Sequence, residues 1–75
     1  MLLLDAPKNK KVRIINYRGG KGVGFKLRQL GLGPGREVKI LRYAPLGGPV
    51  MVDNEGRSVA IGRGIASKVE VEVIR

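Results

Sequence analysis

The sequence predicts a mainly β domain: a small, partly open barrel of about five strands, with one short inserted helix and a further helical turn. Three observations carry that prediction. Five short runs alternate apolar and polar residues and are rich in the β-branched side chains that suit a pleated surface. Glycine and proline fall between the runs where turns are needed. One stretch alone has helical periodicity. At 75 residues the chain is read as a single domain, 1–75, because so short a polymer cannot sustain two cores.

The first strand is Lys11-Val12-Arg13-Ile14-Ile15-Asn16, with Val12 and Ile14 on one side. The second, Val38-Lys39-Ile40-Leu41-Arg42, repeats the pattern with Val38 and Ile40. Pro49-Val50-Met51-Val52 is the third, and Pro49 must begin it or lie on an edge, because proline cannot donate to a ladder. Ser58-Val59-Ala60-Ile61 is the fourth. It is joined to the third by Asp53-Asn54-Glu55-Gly56, read as a bulged hairpin with Gly56 at positive φ. Val69-Glu70-Val71-Glu72-Val73 closes the set, with its valines inward and its glutamates outward.

Between the first two strands, Val23, Leu27 and Leu30 fall at i, i+4 and i+7 on one helical face, while Lys26, Arg28 and Gln29 point away. About two turns are expected. Gly31 is placed for the left-handed conformation that ends a helix, with Leu32 folding back on Leu27 as in a Schellman cap. Gly33-Pro34-Gly35-Arg36 then reads as a type II turn, Pro34 supplying the fixed φ and Gly35 the positive one. A second helical turn is expected over Arg63 to Ser67. Short strands, glycine turns and one inserted helix together describe an SH3-like barrel whose interior is filled by Val, Ile and Leu, so function belongs on its surface.

Composition narrows that function. With neither Cys nor His, the chain offers no disulfide, no thiolate and no imidazole ligand. No metal site and no cofactor are expected of the chain itself. The apolar start Met1-Leu2-Leu3-Leu4 stops at Asp5, short of a membrane span or signal peptide, so a soluble, cytoplasmic protein is expected, meeting a membrane only through a partner. The formal net charge is +9, and nine of the fifteen basic residues but only Asp5 of the six acids lie in residues 1–36. Such an excess favours acidic partners, although it also serves simply as a solvated surface.

The candidate chemistry is thin. Arg18-Gly19-Gly20-Lys21-Gly22-Val23-Gly24 invites a phosphate-loop reading, but Lys21 is followed by Gly22 rather than Ser or Thr, and a flexible loop leading into the helix is expected instead. The acids Asp5, Glu37, Asp53, Glu55, Glu70 and Glu72 sit in no segment expected to be buried, and Ser58 and Ser67 have no histidine base. No enzyme is expected. Asp53 and Glu55 on one hairpin would hold a hard cation only weakly. Nucleic acid is disfavoured as a partner because Tyr17, Phe25 and Tyr43 are the only aromatics and Phe25 is expected in the core, leaving no base-stacking platform.

At Leu27-Arg28-Gln29-Leu30-Gly31-Leu32-Gly33-Pro34-Gly35, then Val38-Lys39-Ile40, then Ala44-Pro45-Leu46-Gly47-Gly48-Pro49, the sequence resembles the FeoA family of small cytosolic proteins of ferrous iron uptake. Val59-Ala60-Ile61-Gly62-Arg63 and Ala66 before Val69-Glu70-Val71 resemble the family's closing segment. Where the family often has a glycine before the first strand, this chain has Asn9, which tolerates the left-handed region. The resemblance implies an accessory role in transition-metal transport: engagement of FeoB, the membrane transporter with a guanine-nucleotide-binding domain, in support or regulation of Fe(II) import.

The docking face expected for that partner is the helix-and-turn from Leu27 to Leu32, with Lys26, Arg28, Gln29, Leu32 and Leu46 as candidate contacts. Positive charge beside apolar surface is the combination that steers and anchors a partner. Leu30 and Leu32 also read as cap and core, which puts more weight on Arg28 and Gln29. Two rivals stand beside it: a basic SH3-like nucleic-acid-binding module, and a free-standing relative of the C-terminal domain of iron-dependent repressors. Self-association through an unpaired barrel edge is compatible with any of them.

Overall fold

The computed structural model describes residues 1–74. A 3-10 turn, Leu3–Asp5, leads into β1 (Lys11–Tyr17), α1 (Gly20–Leu30), β2 (Glu37–Tyr43), β3 (Val50–Asn54), β4 (Arg57–Ile61), α2 (Arg63–Ala66) and β5 (Val69–Val73). The strands form one antiparallel sheet in the order β4-β3-β2-β1-β5. The sheet is not closed, because β4 and β5 do not pair with each other. All five expected strands form, each within two residues of its expected limits.

The predicted alternation holds in each strand until a bulge interrupts it. Val12 and Ile14 of β1 and Val38 and Ile40 of β2 face the core, as do Val50, Val52, Ile61, Val69 and Val71. In β1 the register against β5 shifts between Ile14 and Asn16, and in β2 the register against β3 shifts between Ile40 and Arg42. Each bulge leaves one residue, Ile15 or Leu41, outside the pairing and reverses the facing of the remaining strand residues. Tyr17 and Tyr43 thereby turn inward and pack against the core. No polar or charged residue is buried among the described residues, so the interior is held by apolar burial alone.

Helix α1 is longer than expected. It runs for eleven residues and takes in Gly20, Gly22 and Gly24, where the glycine-rich sequence suggests a loop. The chain enters it through Gly19 and Gly20, both at positive φ. Burial of Val23, Gly24 and Leu27 against the sheet outweighs the poor helix propensity of glycine. Phe25, expected in the core, is 57% exposed. Two residues along a helix from Val23 is a rotation of about 200°, which places it on the far side.

The joints conform more closely. Gly31 has φ 74°, its N–H donates to the Arg28 carbonyl at 3.1 Å and the Leu32 N–H donates to the Leu27 carbonyl at 2.8 Å, the Schellman pair. Arg36 N–H donates to the Gly33 carbonyl at 3.2 Å with Gly35 at φ 95°, a type II turn. The β3–β4 connection is tighter than the bulged hairpin expected. Asn54 pairs directly with Arg57, and Glu55 and Gly56 both have positive φ, which makes a two-residue type I′ turn. Asn9, at φ 66°, does adopt the left-handed conformation before β1.

Candidate partner-binding face

The C-terminal end of α1 is fastened to the rest of the molecule from three sides. Gly35 N–H donates to the Ile14 carbonyl at 2.7 Å and Ile14 N–H donates to the Arg36 carbonyl at 2.9 Å, which ties the turn to β1. The Arg36 side chain donates from Nε to the Gly31 carbonyl at 3.1 Å and pairs with Glu55 at the hairpin tip. Leu32 lies beneath, fully buried. Cap, turn and hairpin therefore form one preorganised surface, and a partner meeting it would not have to order it first.

Lys26, Arg28 and Gln29 project from this surface into solvent, and no acid of the described residues pairs with Lys26 or Arg28. Arg28 also lines an open groove together with Lys11, Gly33, Pro34, Arg36 and Glu55. Its acids are already engaged: Glu55 by Arg36, and Glu37 by Arg13 at 3.0 Å. Arg13 also holds Glu72 at 3.0 Å, and its hydrogen bonds to Glu37 and then Glu72 raise its pKa above the usual guanidinium value. Lys11 and Arg28 are left as the uncompensated charges of the groove. No local sequence pattern marks Lys11 and Arg36 as members of this face, because their placement depends on β1 running beside the turn.

Two of the expected contacts are placed elsewhere. Leu32 has no exposed surface, because the Schellman geometry folds it back under Leu27, so it supports the face without being available for contact. Leu46 is fully exposed but lies in the loop after β2, whereas α1 and its turn precede β2. Seven strand residues separate the two ends by about 20 Å. The structure thus leaves Lys26, Arg28 and Gln29 exposed on α1, with Arg28 alone of the three lining the groove, and leaves Leu46 apart.

Other candidate chemistry is dispersed. Among the described residues no three acids cluster as metal ligands would. Asp53 sits opposite Lys39 across the β2–β3 ladder while Glu55 turns to Arg36, so the hairpin carboxylates do not converge on a cation. Of the glycines in the stretch that invited a phosphate-loop reading, Gly20, Gly22 and Gly24 are wound into α1 and Gly19 is its N-cap. With Tyr17 and Tyr43 turned inward, Phe25 is the one aromatic ring largely exposed, and successive bases would find no second ring to stack on. Among the described residues no helix is long and apolar enough to cross a membrane.

The model of the FeoA domain matches residues 1–73. A protein of Methanocaldococcus jannaschii, provisionally named Fe(2+) transport protein A, is 33% identical over 70 residues, 93% of this chain and 83% of that one. A crystal structure of an iron uptake regulatory protein, FeoA, superposes with a TM-score of 0.88 at 31% identity, covering 99% of this chain and 97% of that one. The repressor ScaR, in a structure with bound Zn2+, superposes with a TM-score of 0.89 over 99% of this chain and 37% of its own, at 19% identity. At that identity the likeness to ScaR is one of fold alone.

Proposed function

The chain belongs to the FeoA family, and from that premise we propose that it is a cytosolic accessory protein of ferrous iron uptake that binds the FeoB transporter and supports or regulates Fe(II) import. It acts by contact, without catalysis. The observation that carries this reading is the rigid end of α1: a capped helix and a fixed turn, braced by Arg36, presenting Lys26, Arg28 and Gln29 with no competing carboxylate. Uncompensated cations on a preformed surface select a partner patch rich in carboxylates and speed its approach. The apolar anchor expected of Leu32 has no part in this contact.

The reading is tested by pull-down of the transporter's cytosolic domain. Wild-type protein should retain it, and Arg28→Glu combined with Gln29→Ala should lower retention at least tenfold while leaving the thermal midpoint in place, since both side chains are exposed. Equal retention by the two proteins would rule out this face. A pull-down that fails for wild type as well would remove the partner itself.

A further inference from the structure

The two edges of the sheet are treated differently. Along β5, the outermost backbone groups are occupied by the start of the chain: Val71 N–H donates to the Met1 carbonyl at 2.7 Å, the Met1 ammonium donates to the Val71 carbonyl at 3.0 Å, and Leu2 bridges to Glu70. Glu70 and Glu72 add charge to that edge. Among the described residues nothing comparable covers β4. Its five residues pair with β3 in unbroken register, with no bulge and no proline among them and with Arg57, beside the hairpin turn, as their one charge; bulges, prolines and charges along the strand are devices by which proteins keep an edge from pairing.

The hairpin fixes which groups are free. A two-residue turn closes on a hydrogen-bonded pair, Asn54 with Arg57, so the bonded positions then alternate to Val52 with Val59 and Val50 with Ile61. The N–H and C=O of Ser58 and Ala60 therefore point away from β3. Among the described residues neither meets another partner.

We propose that β4 is a self-association strand: two copies of this chain pair β4 against β4, antiparallel, about a two-fold axis at Val59. That register sets Ser58 of each copy opposite Ala60 of the other, which is where an antiparallel ladder needs its outward-pointing groups. Each such pair exchanges both backbone hydrogen bonds. Half-buried Val59 meets its own equivalent, an aliphatic cross-strand pair, and the small side chains of Ser58 and Ala60 leave the outer face clear. Arg57 falls opposite Ile61, so no like charges are opposed. The hairpin tip bearing Glu55, whose second carboxylate oxygen has no partner while the first is held by Arg36, comes alongside Arg63 of the second copy, which has no acidic partner within its own chain among the described residues. The interface is isologous and closes at two copies, and it lies on the strand rather than on the exposed side of α1.

Sedimentation velocity on the full-length protein from micromolar to millimolar concentration tests this. Wild type should shift from monomer to dimer over that range. Ser58→Pro removes an N–H that points outward, so the β3 ladder survives, and it should raise the dimer dissociation constant at least tenfold. Should that variant not fold, Arg63→Glu provides the second arm: alone it should weaken the dimer, and with Glu55→Arg the dimer should return. The amides of Ser58 and Ala60 should also gain hydrogen-exchange protection as concentration rises. A monomer throughout, or a dimer indifferent to both Ser58→Pro and Arg63→Glu, would overturn the proposal. Protection of those amides only when a transporter's cytosolic domain is added would overturn it in favour of a foreign strand on the same edge.

Discussion

The phenol of Tyr17 occupies the space that a side chain at residue 24 would need: a Cβ built on Gly24 would stand 2.5 Å from the Tyr17 Oη and 2.9 Å from Cζ. The glycine that weakens α1 locally is what lets the helix lie on β1. Tyr17 faces inward only because of the bulge at Ile15, so bulge, tyrosine and glycine form one packing unit.

Replacing Gly24 with alanine should therefore destabilise the protein by about 1–3 kcal/mol through overpacking, although alanine is the better helix former by about 1 kcal/mol. Gly22, in the same helix, has open space around its Cα, and Gly22→Ala should stabilise by about 0.5–1 kcal/mol. Thermal denaturation of the two variants should move the midpoint in opposite directions. If both raise it, the Tyr17 contact is not what fixes glycine at 24.

The fold is legible in the sequence wherever local chemistry and tertiary demand agree. Leu30-Gly31-Leu32 can hardly be other than a cap, Pro34-Gly35 a type II turn, and Val69-Glu70-Val71 a half-buried strand. The bulges at Ile15 and Leu41 are hidden because no residue type marks them, and with them the inward turn of both tyrosines. Phe25 is misplaced because apolarity does not say which side of a helix a residue occupies. The candidate face is half legible: Arg28 and Gln29 follow from helical periodicity, whereas Lys11 and Arg36 join them through contacts that exist only once β1 and the hairpin are in place.

At the helix end, Gly31→Ala should cost about 1–2 kcal/mol, since φ 74° puts a Cβ against its own backbone, while the nearest other atom, Asn54 Nδ2 at 3.5 Å, stands at ordinary contact distance. Urea denaturation measures this. The α1 amides should lose hydrogen-exchange protection first near Arg28 and Gln29, where the cap bonds are weakened. A variant with wild-type stability would show that the cap geometry is dispensable.

Tyr43 joins the N-terminal segment to the sheet, its hydroxyl donating to the Leu3 carbonyl at 3.2 Å and to the Ala6 carbonyl. Tyr43→Phe should cost about 0.5–1.5 kcal/mol. Burial, and secondarily the negative charge of Asp5, raise the Tyr43 pKa above its ordinary value of 10.0. The phenol thus keeps its proton longer in the folded chain than in the unfolded one. Its contribution is fully present below pH 10 and declines as pH rises through the unfolded and then the folded pKa. Stability measured from about pH 9 upward should fall more steeply for wild type than for Tyr43→Phe, and parallel curves would contradict the assignment.

The two leucines expected in one face should separate in any mutational series. Leu32 is fully buried beneath the cap, so Leu32→Ala should destabilise by about 2–5 kcal/mol, and any loss of partner binding it causes should track loss of fold. Leu46 stands fully exposed at φ 59° in the turn closed by the Gly48 N–H on the Pro45 carbonyl. Neither burial nor backbone preference accounts for a leucine at a position that suits asparagine or glycine. Leu46→Asn should stabilise the domain by about 0.5–1 kcal/mol, because asparagine tolerates the left-handed region. If it also lowers retention of the transporter's cytosolic domain, the leucine is kept for a contact on the loop end of the sheet, about 20 Å from Arg28 along β2. Unchanged retention together with greater stability would confine the contact to the face at the end of α1.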